Sequence, residues 1–129
     1  MGEYGMVLPR FIKAALHGEP LRVFGNGLQK RCFCHVSDAI EAIIEIIGSP
    51  NTIGEVFNIG NNQEISILDL ANLVLKKTGS KSQIELVPYS EIFKESFEDM
   101  ERRVPDISKI NKMLNWYPKH SIEIGRAHV

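Results

Sequence analysis

Cysteine is almost absent from these 129 residues: only Cys32 and Cys34 occur, two positions apart. On a strand they would point to one face, a disulfide between them would be strained, and no secretory signal opens the chain. A reducing, cytoplasmic setting is the expectation. Long apolar runs are missing too. The longest, residues 39–47, is interrupted by Glu41 and Glu45, far short of the roughly 20 apolar residues of a membrane span. Charge of one sign is not in excess, with 15 Lys and Arg against 16 Asp and Glu. A basic field for generic nucleic-acid binding is therefore excluded. Cys32, Cys34 and His35 have no zinc-like spacing and no second pair, so no metal is expected. Serine-nucleophile motifs are absent. A lysine-activated tyrosine base of Tyr-x-x-x-Lys form is absent as well, because the fourth positions after Tyr4, Tyr89 and Tyr117 are Leu8, Phe93 and Ser121. No catalytic residue is assigned.

What is present alternates between helical and strand-like periods. The length suits one domain, burying about two thirds of its unfolded surface. Val7–Leu16 carries a helical apolar stripe stopped by Gly18 and Pro20. Leu21–Phe24 reads as a strand closed by the Gly25-Asn26-Gly27 turn, a hairpin leading into a second strand over residues 31–36. Ser37 or Asp38 can cap a helix over residues 39–47 that stops at Gly48-Ser49-Pro50. Residues 55–59 read as a third strand. Ser66 to Asp69 resembles a capping box, opening a helix through Lys77 that Gly79 ends. Ile84–Val87 reads as a fourth strand, residues 91–101 as a loop or frayed helix, and residues 109–114 as a last helix started by Asp106 or Ser108. The class is α/β, with strands too few and short for an autonomous doubly wound sheet.

The chemistry points to phosphate. Gly25-Asn26-Gly27 continues Leu28-Gln29-Lys30, so Lys30 stands where a dinucleotide fingerprint has its third glycine. A turn is the better reading. On a strand, Arg31, Phe33 and His35 share one face while both cysteines pack inward on the other. Arginine offers a planar fork for bidentate phosphate contact beside an aromatic ring, though a surface salt bridge would use Arg31 equally well. Arg102 and Arg103 bring two more guanidiniums ahead of Pro105 and Asp106, among Glu98, Asp99 and Glu101. A solvated charge run and a helix cap are their plainer roles. His35 reads as a hydrogen-bonded structural histidine and Trp116 as packing for the last helix.

Three ordered blocks carry a family resemblance: LPRFIKAALHGEPLRVFGNGLQKRCFCHVSDAIEAI, GEVFNIGNNQEISILDLA and RRVPDISKINKMLNWYP. They resemble the C-terminal half of extended short-chain dehydrogenases acting on nucleotide sugars, such as UDP-glucose 4-epimerase, UDP-glucuronate decarboxylase and the 4,6-dehydratases. The resemblance implies the substrate-binding lobe of a Rossmann-type NAD(P)-binding enzyme, truncated on its N-terminal side. The missing half would hold NAD through a glycine-rich loop and supply Tyr-x-x-x-Lys. By position it implies Arg22 and Phe24 beside the base, Arg31 and Arg103 on the diphosphate, and Phe33 lining that site. Asp106 would lie near the ribose, and Val7 and Leu8 in the helix start beside the diphosphate. Asp38 of HVSD would cap the next helix, and residues 57–60 would belong to a strand extending the parent sheet.

The parent would oxidise the sugar transiently with NAD, and this lobe would supply nucleotide-binding energy that positions the sugar. The expected partner is a nucleotide-diphosphate sugar, of UDP type, and the parent would be a homodimer. The competing reading is a non-catalytic relative using the same fold to bind a ligand or RNA; a glycine-rich loop and Tyr-x-x-x-Lys upstream would separate the two. Residues 1–123 are read as one fragmentary domain. Residues 124–129 break the upstream pattern, and codons ATC GGA AGA GCA CAC GTC would spell them, which resembles read-through into a sequencing adapter. A non-native tail is expected there.

Overall fold

A computed structural model describes residues 6–88 and 103–122. Along the chain run α1 (Val7–Leu16), β1 (Leu21–Phe24), β2 (Lys30–Cys32), α2 (Val36–Gly48), a 3-10 turn (Pro50–Thr52), β3 (Glu64–Ser66), α3 (Ile67–Thr78), β4 (Ile84–Val87) and α4 (Ser108–Leu114). The described residues form two compact units. Unit one comprises residues 6–30 and 65–88, and unit two comprises residues 31–64 and 103–122. The expected loop or frayed helix at residues 91–101, Arg102 and the 124–129 tail lie outside the described residues.

Unit one is built on β1 and β4, which run parallel with Leu21 opposite Ile84 and Phe24 opposite Val87. Alternation turns Leu21 and Val23 inward and leaves Arg22 outside. α1 and α3 both pack on β1. Phe11 and Ala15 come from the α1 stripe, and Leu70, Ala71 and Val74 from α3; all are buried with Val87. Each large aliphatic or aromatic side chain so covered stabilises the unit by about 1.5–3 kcal/mol. The predicted cap is real: Ser66 Oγ accepts the Asp69 N–H at 3.0 Å, a contact worth about 1 kcal/mol.

The Gly25-Asn26-Gly27 segment is a turn, as expected, but no hairpin. β1 pairs with β4 and β2 with β3, so the turn sends the chain from one sheet to the other. Its carbonyls explain why. Gly27 O accepts the Leu68 N–H at 2.9 Å and Gln29 O the Ile67 N–H at 3.0 Å, so the segment satisfies two orphan donors at the start of α3. Gly27 has φ +74°, and a Cβ there would lie 2.9 Å from Val23 Cγ1 and 3.0 Å from Leu68 Cβ. Only glycine fits.

Unit two packs Ala42 of α2 against Ile107, Ile110 and Trp116, with Ile46, Phe57, Ile59 and Leu114 around them. Trp116 thus anchors the last helix, as expected. α4 ends on Asn115, held at φ 52° with its N–H on Asn111 O, and the Asn111 amide donates to Trp116 O at 2.7 Å.

Three expectations are corrected here, and one strand is new. α2 starts three residues before the predicted Ala39, because His35 is its cap: its Nδ1 accepts the Ser37 N–H at 3.1 Å. Neither Ser37 nor Asp38 caps it. β2 ends at Cys32, so the alternation predicted through residue 36 fails and Cys34 is exposed rather than packed inward. Residues 55–59 keep strand-like alternation, with Phe57 and Ile59 half-buried and Val56 and Asn58 exposed, but belong to no strand ladder; no neighbouring strand among the described residues supplies the hydrogen bonds a ladder requires. β3, only three residues without an apolar alternation, gave no signal in the sequence.

Candidate nucleotide-binding residues

In unit one, Val7 and Leu8 open α1 and are half-buried. Arg22 and Phe24 lie on β1, and a residue the sequence reading passed over joins them. Arg10, one turn into α1, donates from Nη1 to Arg22 O at 2.9 Å, and its guanidinium carbon lies 4.5 Å from the centroid of the Phe24 ring. Burial, then the nearby charge of Arg22, pulls the Arg10 pKa below its ordinary value. Phe24 O accepts the Gln29 amide at 3.2 Å. The carbonyls of Arg22 and Phe24, the residues expected beside the base, thus already hold protein donors, each keeping a second lone pair. No local spacing marked Arg10: its partners lie on β1, and the length of its stem brings it to them.

Unit two contains Arg31, Phe33, Arg103 and Asp106. Arg31 is half-buried on β2, Phe33 is half-buried just beyond it, and Arg103 is exposed. Asp106 is no helix cap in the strict sense, since Ile107 occupies that position. Its Oδ1 accepts the Ser108 N–H at 3.0 Å. Hydrogen bonds from Ser108, from its side chain and then its main chain, hold the Asp106 carboxyl below the ordinary carboxylate range. The segment carrying Arg103 is pinned from the 58–60 stretch. Asn58 Nδ2 donates to Asp106 O at 3.2 Å, and a Cβ on Gly60 would meet Pro105 Cγ at 2.9 Å. Asn58 therefore touches the 105–106 main chain, and Gly60 lies against the Pro105 ring.

Asp38 has a different task from capping. It is 1% exposed, and its Oδ2 accepts the main-chain N–H groups of Lys119 at 3.0 Å and His120 at 2.9 Å. Oδ1 lies 2.9 Å from His120 Nδ1, and the His120 ring stacks on His35 with centroids 4.4 Å apart. Burial pushes the Asp38 carboxyl up. The hydrogen bonds from His120 and Lys119 and the charge of His120 outweigh it, leaving the pKa lowered. Burial and then Asp38 raise the Cys34 thiol, which disfavours a reactive thiolate. A cavity of about 380 Å³ lies alongside, lined by residues including Asn61, Asn111, Tyr117, Lys119 and His120. None of the predicted nucleotide residues lines it.

The Gly25-Asn26-Gly27 turn does not fit a dinucleotide pyrophosphate. The glycine turn faces the start of α3 with carbonyls rather than N–H groups, and the Ile67 and Leu68 donators are already engaged by them, so nothing there cradles a pyrophosphate. Among the described residues no cluster of three or more His, Cys, Asp or Glu could hold a metal ion, and no helix is long and apolar enough to cross a membrane.

A sequence model of the family described as GDP-mannose 4,6 dehydratase matches residues 4–128. The chain is 42% identical over 124 residues to a UDP-N-acetyl-alpha-D-glucosaminuronate decarboxylase of Bacillus cytotoxicus, covering 96% of this chain and 38% of that protein. It superposes with TM-score 0.80 and 30% identity on the UDP-glucuronic acid 4-epimerase of Bacillus cereus in complex with UDP-glucuronic acid and NAD, covering 93% of this chain and 37% of that one. A dTDP-glucose 4,6-dehydratase of Bacillus anthracis in complex with NAD matches with TM-score 0.77 and 28% identity, covering 97% and 39%. The chain thus spans less than two fifths of the length of each of these relatives. Their likeness makes the fold that of part of a Rossmann-type extended short-chain dehydrogenase. With nearly every residue matched, the chain belongs to the GDP-mannose 4,6 dehydratase family, among the NAD-dependent epimerases and dehydratases.

Proposed function

We propose that this chain is the nucleotide-sugar-binding portion of an NAD-dependent epimerase, dehydratase or decarboxylase, and that it holds a UDP-type diphosphate through Arg31 and Arg103. The observation that carries this reading is the 42% identity with a decarboxylase of a UDP-linked sugar acid, in a chain whose two candidate arginines fall in one unit. The hold of Asn58 on Asp106 O and the close fit of Gly60 against the Pro105 ring support it, because a phosphate clamp requires a fixed backbone. Within the same unit as the two arginines, Phe33 lines the diphosphate site and Asp106 addresses the ribose.

NAD bound in the full-length protein would supply the hydride chemistry. The residues for that chemistry belong to the portion of the longer protein outside these 129, since the glycine-rich loop and Tyr-x-x-x-Lys are absent here. What this chain contributes is binding and orientation. Its arginine forks form charge-assisted bonds worth about 1.5–3 kcal/mol each, fixing the remote nucleotide so that the sugar meets the reacting groups. Arg31→Ala and Arg103→Ala in the full-length protein should each weaken UDP-sugar binding about tenfold, close to 1.4 kcal/mol, with NAD affinity intact. Calorimetry showing unchanged UDP-sugar affinity in both variants refutes the assignment. The 129-residue chain alone should form no NADH from any UDP-sugar.

A further inference from the structure

We propose that the stacked pair His35 and His120 is an acid-operated latch, which holds the start of α2 only while His35 is uncharged. His35 caps the helix through its ring. Its Nδ1 accepts the Ser37 N–H at 3.1 Å, so Nδ1 carries the lone pair and the proton of the neutral ring sits on Nε2. A neutral imidazole has one such lone pair. Acid can therefore protonate His35 only at the atom that makes the cap, and the Ser37 N–H then faces another donor. Its hydrogen bond passes to water. Serine, threonine, asparagine and aspartate, the usual residues at this position, have no such sensitivity near neutral pH.

His120 responds to acid in the opposite sense. Its Nδ1 proton faces the buried Asp38 carboxylate at 2.9 Å, which leaves Nε2 as the nitrogen that takes a proton. The imidazolium so formed keeps Asp38 as its counter-ion. The two rings stack with centroids 4.4 Å apart and 21° between their planes, so a second positive charge, on His35, would oppose the first. It would also sit at the positive end of the α2 dipole. Both effects drive a charged His35 ring out of its place. The other ionisable groups at the pair leave this balance intact. From α2, Asp38 is held by the Lys119 and His120 N–H groups, and Glu41 pairs with Lys119 at 2.6 Å, whose charge also feels Glu45. Cys34, its thiol raised by burial and then by Asp38, stays neutral. Solvent reaches the latch, because 31% of the His120 side chain is exposed. What the latch guards is residues 33–35, the connection from Arg31 on β2 into α2.

The full-length protein, isotope-labelled on serine nitrogen alone, tests this through solvent exchange of the Ser37 amide, whose signal is assigned by its loss in Ser37→Ala. The protection factor, corrected for intrinsic exchange, should fall at least about fivefold between about pH 8 and about pH 5, as loss of one cap requires. In His35→Ser, which keeps a capping oxygen and removes the titrating ring, protection should stay constant over that range. Constant protection in the unsubstituted protein overturns the proposal, and so does an equal fall in His35→Ser. UDP-sugar affinity, measured in parallel, reads the one consequence that rests on the diphosphate assignment. It should fall with Ser37 protection in the unsubstituted protein and hold in His35→Ser. Loss of Ser37 protection with affinity unchanged in both proteins supports the latch and refutes its coupling to Arg31.

Discussion

His120 holds Asp38 across 82 residues of sequence, donating its main-chain N–H to Oδ2 at 2.9 Å and placing Nδ1 2.9 Å from Oδ1. An ionised carboxylate only accepts hydrogen bonds, so the Nδ1 proton faces Asp38. With the Lys119 N–H, the carboxylate gathers three donors at the start of α2.

Asp38→Ala strips those three donors of the buried carboxylate that gathers them. Loss of about 3 kcal/mol of unfolding free energy is expected, read by urea denaturation at neutral pH. Asp38→Asn keeps one acceptor oxygen and should lose roughly half as much. A neutral Asp38→Ala variant would mean that the 119–120 segment is held by other contacts.

The same carboxylate sets an acid limit. Its pKa is lowered in the folded state, so its contribution is complete above the unfolded aspartate value of about 3.9 and disappears as pH falls through the lower folded value. Asp106 shifts in the same direction, weakly, because it is exposed to solvent. Lys119, raised by the hydrogen bond and charge of Glu41, acts in the opposite sense and loses its contribution only above about pH 10.4. Unfolding free energy measured from pH 7 down to pH 3 should fall steeply below about pH 4, and the Asp38→Asn variant should show a shallower fall.

Gly60 sits against Pro105, where an added methyl would lie 2.9 Å from Pro105 Cγ. A proline ring cannot swing aside as a flexible side chain does, so the 105–106 main chain must move. Gly60→Ala should cost about 1–3 kcal/mol in stability. In the full-length protein it should also weaken UDP-sugar binding several-fold through displacement of Arg103. Retained affinity in a folded Gly60→Ala protein would separate the 58–60 stretch from the arginine segment.

Much of the scaffold was legible in the sequence because local rules govern it. The bounds of α1, β1 and β4 follow from apolar spacing and glycine or proline stops, and α3 from its Ser66 cap. The failures are non-local. That the Gly25-Asn26-Gly27 turn joins two sheets depends on β4 and β3, far along the chain. The Asp38 role depends on Lys119 and His120, and a polar residue three positions into a helix looks the same locally whether it caps or reaches across. Arg10 was missed for a related reason: its partners Arg22 and Phe24 lie on another element, and stem length rather than spacing brings them together. The candidate nucleotide residues came from the family resemblance; residue patterning alone left Arg31 equally suited to a surface salt bridge.

The parallel pairing of β1 with β4 constrains the order of events during synthesis. β1 leaves the ribosome well before β4, and Leu21 gains its Ile84 neighbour only after the whole of residues 31–64 has emerged in between. Until then β1 presents an unpaired edge, which invites pairing with other chains. Closing so distant a contact is entropically slow. Nascent chains of this protein therefore pass through a long aggregation-exposed interval, and soluble yield should depend on elongation rate and on chaperone capacity more than the stability of the finished fold would suggest.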